Sequence, residues 1–216
     1  MSIAQLLDEI SKSPSTDVFF NPYAPPFPDN AIRLHNLKRY LQQMLERQPN
    51  TLMLMEAPGY RGCRLTGIPV TSRKIMLESL PDLPIFGSEQ GFTDTHDPGF
   101  EAFYNEQSAT ILWPAIRDVL RQKGANHLPL LWNSFPFHPH KSGQILSNRK
   151  PKVSEIQAFG LPLLEKILLL YQPKNLLAVG NVAHETFQRL GYNSHKLRHP
   201  AQGGKNDFIS GLNQYL

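Results

Sequence analysis

The apolar residues of this chain are arranged in two ways. In the first, they form short unbroken runs closed by a polar residue, as in Leu52-Met53-Leu54-Met55 before Glu56 and Leu130-Leu131-Trp132 before Asn133. Such runs suit strands buried on both faces. They predict strands over 51–55, 127–132 and 175–179, and a shorter one over 193–197. In the second, apolar residues recur three and four apart, the helical period. This predicts helices over 3–12, from a cap at Asp29 or Asn30 to about Gln48, and over 105–123. Further helices should run from Ser154 and Glu155 to about Tyr171, from Gly180-Asn181 to Gly191, and from about Lys205 to Tyr215. Leu34, Leu37, Leu41, Met44 and Leu45 would form the apolar face of the second helix, and Pro114 would kink the third or mark its true start.

Helices alternating with short apolar strands predict an α/β fold, a parallel, doubly wound sandwich. Residues 13–29 are rich in Pro, Phe and Tyr and read as an ordered strap packed on the body. Residues 56–100 and 134–152 read as long loops, which in compact domains are usually functional or contain short helices. With no internal repeat and no linker, residues 1–216 read as one domain, with residues 1–49 as amino-terminal helices and strap.

Composition narrows the picture. The 216 residues suffice for one core. Cys63 is the sole cysteine, which excludes a disulfide framework and a Cys-ligated zinc or iron–sulfur centre. No metal or cofactor is expected. The amino terminus is amphipathic rather than a signal peptide, and no apolar run reaches ~18 residues, so a cytoplasmic protein is expected. A net charge of +4 is weak evidence for a nucleic-acid partner. The distribution says more. Arg61, Arg64, Arg73 and Lys74 follow the first strand, Lys141, Arg149, Lys150 and Lys152 follow the second, and Arg198 and Lys205 flank His199.

Three segments carry candidate chemistry. Glu56-Ala57-Pro58-Gly59 delivers a carboxylate to a tight loop at a strand's carboxyl end, where open α/β sheets bind ligands. Gly59 permits close backbone approach, and the amides after Pro58 can donate hydrogen bonds. Asn133 ends the second strand with a carboxamide able to read a base edge, or simply to cap a turn. Phe135 and Phe137 follow it, as core residues or stacking platforms. Arg198-His199-Pro200-Ala201-Gln202-Gly203-Gly204-Lys205 brings an imidazole to a glycine-rich loop before a helix, a place where backbone amides can hold phosphate. It is not a P-loop, because the leading glycine spacing and the following Ser/Thr are missing.

This constellation resembles the uracil-DNA glycosylase superfamily, in particular its G-E-A-P-G branch that includes the family-four enzymes. Met55-Glu56-Ala57-Pro58-Gly59 with Gly67-Ile68-Pro69 is similar to the first motif, G-E-A-P-G followed by G-x-P-F. Leu130-Leu131-Trp132-Asn133 resembles the strand ending in the base-reading Asn. Asn148-Arg149-Lys150-Pro151 with Glu155, Ala178-Val179-Gly180 with Ala183, and His199-Pro200-Ala201 match further motifs in family order, from about residue 50 to the end.

The resemblance implies a three-layer α/β/α sandwich around a central, mainly parallel four-stranded sheet, and removal of uracil or a related deaminated base from DNA. The target nucleotide would be flipped into a pocket formed with Ala57, Gly59, Tyr60, Val70 and Asn133. His199 would stabilise charge on the departing base. Glu56 would orient or activate water, or stabilise the cationic sugar. Arg64, Arg149, Gly203, Gly204 and Lys205 would meet DNA, and the protein would act as a monomer. Four positions depart from the pattern. Phe159 stands where a cluster cysteine would be, Val70 replaces the stacking Phe, Met55 replaces the first glycine, and Ala201 replaces Ser. Two other readings compete: a catalytically weak nucleic-acid-binding member of the same fold, and a metal-dependent hydrolase using His138, His140 and Glu56 or Asp94.

Overall fold

The computed structural model describes residues 1–83, 85–125, 127–201 and 203–216. The chain opens with α1 (Ile3–Lys12), the two-residue strand β1 (Phe19–Phe20) and the long helix α2 (Pro28–Arg47). After β2 (Thr51–Met55) come two short helices, α3 (Cys63–Thr66) and α4 (Arg73–Glu78), and then α5 (Gln107–Lys123). β3 (Leu130–Asn133) and the two-residue β4 (His138–Pro139) follow. Next, α6 (Val153–Glu155) runs through a π-helical turn at Ile156–Gly160 into α7 (Leu161–Tyr171). β5 (Asn175–Val179), α8 (Asn181–Arg189), β6 (His195–Leu197) and α9 (Lys205–Tyr215) complete the chain.

Four strands form one parallel sheet in the order β3-β2-β5-β6. Every residue of β2 and β3 is buried, as their uninterrupted apolar sequences require in a sheet covered on both faces. The architecture is a three-layer α/β/α sandwich with a four-stranded parallel sheet. Met55 lies opposite Asn133, and beyond both strands the Ser134 and Phe135 amides still donate to the Met55 and Glu56 carbonyls, at 2.8 and 3.0 Å. The sheet thus carries its register into the loops that hold the candidate chemistry.

The amino-terminal segment is part of the core. Leu6, Leu7, Ile10, Phe19, Tyr23, Leu37, Tyr40, Leu41 and Met44 pack with the residues of the sheet. β1 pairs with β4, so the strap is stitched onto the loop after β3. Phe159, at the place of a cluster cysteine, joins a knot of rings with Phe19, Phe135 and Phe137, centroids 5.4–6.4 Å apart.

Several local expectations change. α2 begins at Pro28 with no side-chain cap. Asn30 is buried and donates to the carbonyls of Asn21 and Ala24. Leu45 points to solvent, and Arg33, Asn36 and Tyr40 take inward positions on α2. All their polar side-chain atoms but Arg33 Nε are bonded across the core, as when Asn36 donates to Thr66 and Thr93 carbonyls and Tyr40 accepts from the Leu131 amide. Pro114 lies inside α5, whose start is fixed seven residues earlier by the Glu106 carboxylate accepting from Ser108 and Ala109 amides. β3 is shorter than predicted, beginning at Leu130 and including Asn133. At Gly160 the π-helical turn comes so close to the loop after β3 that a Cβ would lie 1.9 Å from the Ser134 carbonyl oxygen.

Candidate active site

Glu56 and His199 leave the same sheet edge, with β5 between the strands that deliver them. Glu56 follows β2, and His199 follows β6. They converge on a cavity of about 60 Å³ lined also by Ala57, Gly59, Gly62, Cys63, Val70, Glu106 and Ser108. It opens beside a cleft of about 450 Å³ that adds Asn148, Arg149, Arg198 and Ala201. A third hollow of about 420 Å³ reaches Glu56 and His199 past Lys150, Gly180 and Lys196.

The loop after Glu56 is held from distant elements. The Pro58 carbonyl faces His138 Nδ1 at 2.9 Å, and the Tyr60 amide donates to Asn148 Oδ1 at 3.1 Å. Tyr23, from the strap, donates to the Gly67 carbonyl at 2.9 Å. Trp113 Nε1 donates to the Val70 carbonyl at 2.9 Å. Val70 adopts a left-handed conformation, φ +53°, which a β-branched residue avoids. Such strain persists only where the surroundings over-determine it, and it clusters at functional sites. Here the indole bond and the lining position of Val70 supply both parts.

The imidazole is held locally. The Ala201 amide donates to His199 Nδ1 at 3.2 Å. A nitrogen that accepts carries no proton, so the neutral ring bears its hydrogen on Nε2, free to donate. Burial pushes the His199 pKa below its ordinary value, opposed by Glu106 and assisted by Arg198. Burial pushes the Glu56 carboxyl above its ordinary value, and Lys150 partly offsets this. The edge therefore pairs a neutral donor with a carboxylate of enhanced basicity.

Asn133 is 3% exposed, and its Nδ2 lies 3.9 Å from Cys63 Sγ. Cys63 lines the cavity, with Asn133 behind it. Tyr60, expected to line the pocket, does not line the cavity or the clefts beside it; its ring is edge-on to Phe103 and its hydroxyl accepts from Arg61.

Three residues expected to meet DNA are placed otherwise. Arg64 is buried, sandwiched between the rings of Phe20 and Phe100 and paired with Asp97 at 2.6 Å. Arg33 shares that aspartate. Burial, opposed by Asp97 and assisted by Arg33, brings Arg64 down to about 10, and its guanidinium is spent on the fold. Arg149 lines the cleft, but its nitrogens bond Glu155 and the carbonyls of Val18, His140 and Lys150. Gly204 is buried, and its amide donates to the Ala201 carbonyl. A Cβ there would meet the His199 carbonyl oxygen at 2.1 Å, so this glycine serves the close packing of the His199 loop. Gly203 and Lys205 remain exposed, and Gln202 of the same motif lies outside the described residues.

Phe135 and Phe137 are fully buried and offer no stacking face. The metal-hydrolase reading also falls. Both ring nitrogens of His138 face carbonyls, Pro58 and Ile145, and both oxygens of Asp94 pair with Arg73. Gly62, Cys63, Glu106 and Ser108 line the cavity without having been expected there, and Glu106 is the ionisable carboxylate among them.

A family model described as the uracil DNA glycosylase superfamily matches residues 45–213. The chain belongs to this superfamily. The crystal structure of wild-type Pedobacter heparinus SMUG2 matches with a TM-score of 0.61 at 16% identity, over 98% of this chain and 92% of that one. At that identity the likeness is one of fold. No curated protein matches the sequence significantly. Among the described residues, no helix is long and apolar enough to cross a membrane.

Proposed function

We propose that this protein is a DNA glycosylase that hydrolyses the N-glycosidic bond of uracil, or of a related deaminated base, in DNA. The observation that carries the reading is the convergence of Glu56 with a neutral His199, its proton on Nε2, around one cavity at the carboxyl edge of the sheet. Breaking the bond leaves its electron pair on the base, where an oxygen gains negative charge, and positive charge on the sugar. His199 Nε2–H donates to that oxygen, and one such donor is typically worth ~3 kcal/mol in the transition state. Water adds to the sugar carbon, and its proton passes to Glu56, whose desolvated carboxylate is a stronger base than usual. Asn133, behind Cys63 and outside the cavity lining, reads the base edge once the cavity walls part to admit the base. Lys205, Gly203, Arg198 and Lys150 line the approach for DNA phosphates. The protein acts as a monomer in the cytoplasm and takes no cofactor.

A second reading has one observation in its favour. The cavity has room for about two waters, so a pyrimidine enters only if its walls part. With Val70 in place of a stacking ring, a nucleic-acid-binding protein of weak or no catalysis would show this geometry.

A single-turnover assay on a labelled uracil-containing oligonucleotide separates the two. Alkali-labile cleavage by the parent, reduced about a hundredfold in His199→Ala and also reduced in Asn133→Ala, supports the glycosylase. Salt-sensitive binding with no released base, at stoichiometric protein, supports the binding role.

A further inference from the structure

We propose that Tyr23 and Cys63 orient the Asn133 carboxamide, and so decide which donor–acceptor pattern the protein presents to a base. The proposal deepens the glycosylase reading and rests on it.

The argument is a count of protons along one buried chain of contacts. The Gly67 carbonyl can only accept, so the Tyr23 hydroxyl spends its one hydrogen there, at 2.9 Å. Tyr23 Oη is also 3.8 Å from Cys63 Sγ. With its hydrogen committed, the hydroxyl offers only a lone pair, and the thiol must donate to it. The sulfur then has no proton left and can only accept. Its other neighbour, 3.9 Å away, is the Asn133 amide, which must turn Nδ2 and not Oδ1 toward it.

The chain runs one way, from Asn133 N–H to sulfur, S–H to Tyr23, and O–H to Gly67. All three side chains are at most 3% exposed, so no bulk water relaxes the count. Burial, ahead of all other causes, keeps both Tyr23 and Cys63 in their protonated forms, the thiol being pushed up to about 12.

The orientation matters because the two ends of a carboxamide differ only in hydrogen bonding. Uracil presents a ring N–H beside a carbonyl, and cytosine presents a bare ring nitrogen beside an amino group. An Asn fixed one way fits the first edge, and the same Asn flipped fits the second. A glycosylase whose Asn could turn would attack the normal base. Sulfur is a weak acceptor and a weak donor, so the bias comes from the hydroxyl–carbonyl anchor behind it. The hydroxyl of that anchor, Tyr23, lies in the strap, outside residues 45–213 matched by the family model.

Tyr23→Phe keeps the ring and removes the anchor. Since Cys63 is the sole cysteine, the protein has a single S–H stretching band in the infrared. The band should move in Tyr23→Phe, as the thiol loses its acceptor. The uracil-over-cytosine ratio of kcat/KM should fall about tenfold in Tyr23→Phe and in Cys63→Ala. Cys63→Ser, which keeps one donor and one acceptor, should recover most of that ratio.

An unmoved band in Tyr23→Phe overturns the proposal. So does a moved band with an unchanged ratio, or a Ser variant no better than Ala. If the parent cuts no uracil, the same ratio is read from equilibrium binding of free uracil and free cytosine. A moved band and a reduced binding ratio then uphold the orienting chain while the glycosylase reading fails. A binding ratio that Tyr23→Phe leaves unchanged overturns it.

Discussion

The acid and the imidazole of this site are held in contrasting ways. The loop after Glu56 is fixed by side chains from the strap, α5 and the segment after β3: Tyr23, Trp113, His138 and Asn148. The loop after His199 leaves a three-residue edge strand, and among its described residues the bonds run within the loop, from the Ala201 amide to His199 Nδ1 and from the Gly204 amide to the Ala201 carbonyl. The contrast separates two costs. Damage to the acid side should appear first as lost stability, because it breaks contacts between elements. Damage to the imidazole side should appear first as lost rate, because it misplaces one ring at the rim of the sheet.

The largest expected effect is on the acid side. At Gly67, φ is +75° and a Cβ would lie 2.3 Å from the Arg33 carbonyl oxygen. Gly67→Ala should cost about 4 kcal/mol of stability, combining backbone strain and overpacking. Chemical denaturation measures it. Gly204→Ala is the matching change on the other side. It should slow turnover about a hundredfold by displacing His199, while costing about 1–2 kcal/mol of stability. Equal stability losses in the two variants would erase the contrast.

Glu106→Ala should cost about 1 kcal/mol by uncapping α5. It should also let His199 titrate further below its ordinary range, because Glu106 opposes the effect of burial. An NMR titration of the ring reads this directly, and an unmoved or raised pKa would remove Glu106 from the site.

The smallest effect is expected at Lys150, which holds the Glu56 carboxyl down against burial. Glu56 must be ionised to accept a proton, so the rate should fall as pH drops through its raised pKa. Lys150→Met should move that acid limb upward. The linkage to stability has the opposite sense. A carboxyl raised on folding contributes stability below its unfolded pKa, and this is lost as pH rises through the folded value.

The strands were legible because burial on both faces writes an unbroken apolar run, and their polar terminators marked Glu56 and Asn133. His199 was legible for a similar reason, as a titratable ring between a short strand and a glycine-rich turn. What sequence spacing could not supply was long-range pairing. Arg61 and Arg64 read alike as cations after a strand end. Only Asp97, far along the chain, draws Arg64 inward and leaves Arg61 outside. Glu106 reads locally as a helix cap, and its place beside His199 depends on how α5 crosses the sheet edge. Gly204 looked like a phosphate loop because a glycine required by a neighbouring carbonyl and one required by a ligand have the same sequence signature. The inward polar positions of α2 broke its apolar face for the same reason, each having a partner far along the chain: Asp97 for Arg33, Thr66 and Thr93 for Asn36, and Leu131 of β3 for Tyr40.

The strap also bears on how the protein can be cut. The recognised family segment starts at residue 45, a natural place to begin a shortened version. Such a fragment would lose the partners of Met53, Leu131 and the Phe135–Phe137–Phe159 rings, all of which pack in the same core as Leu6, Phe19, Tyr23 and Tyr40. The recognisable unit and the packed unit therefore have different borders. A working deletion series would have to stop before α1.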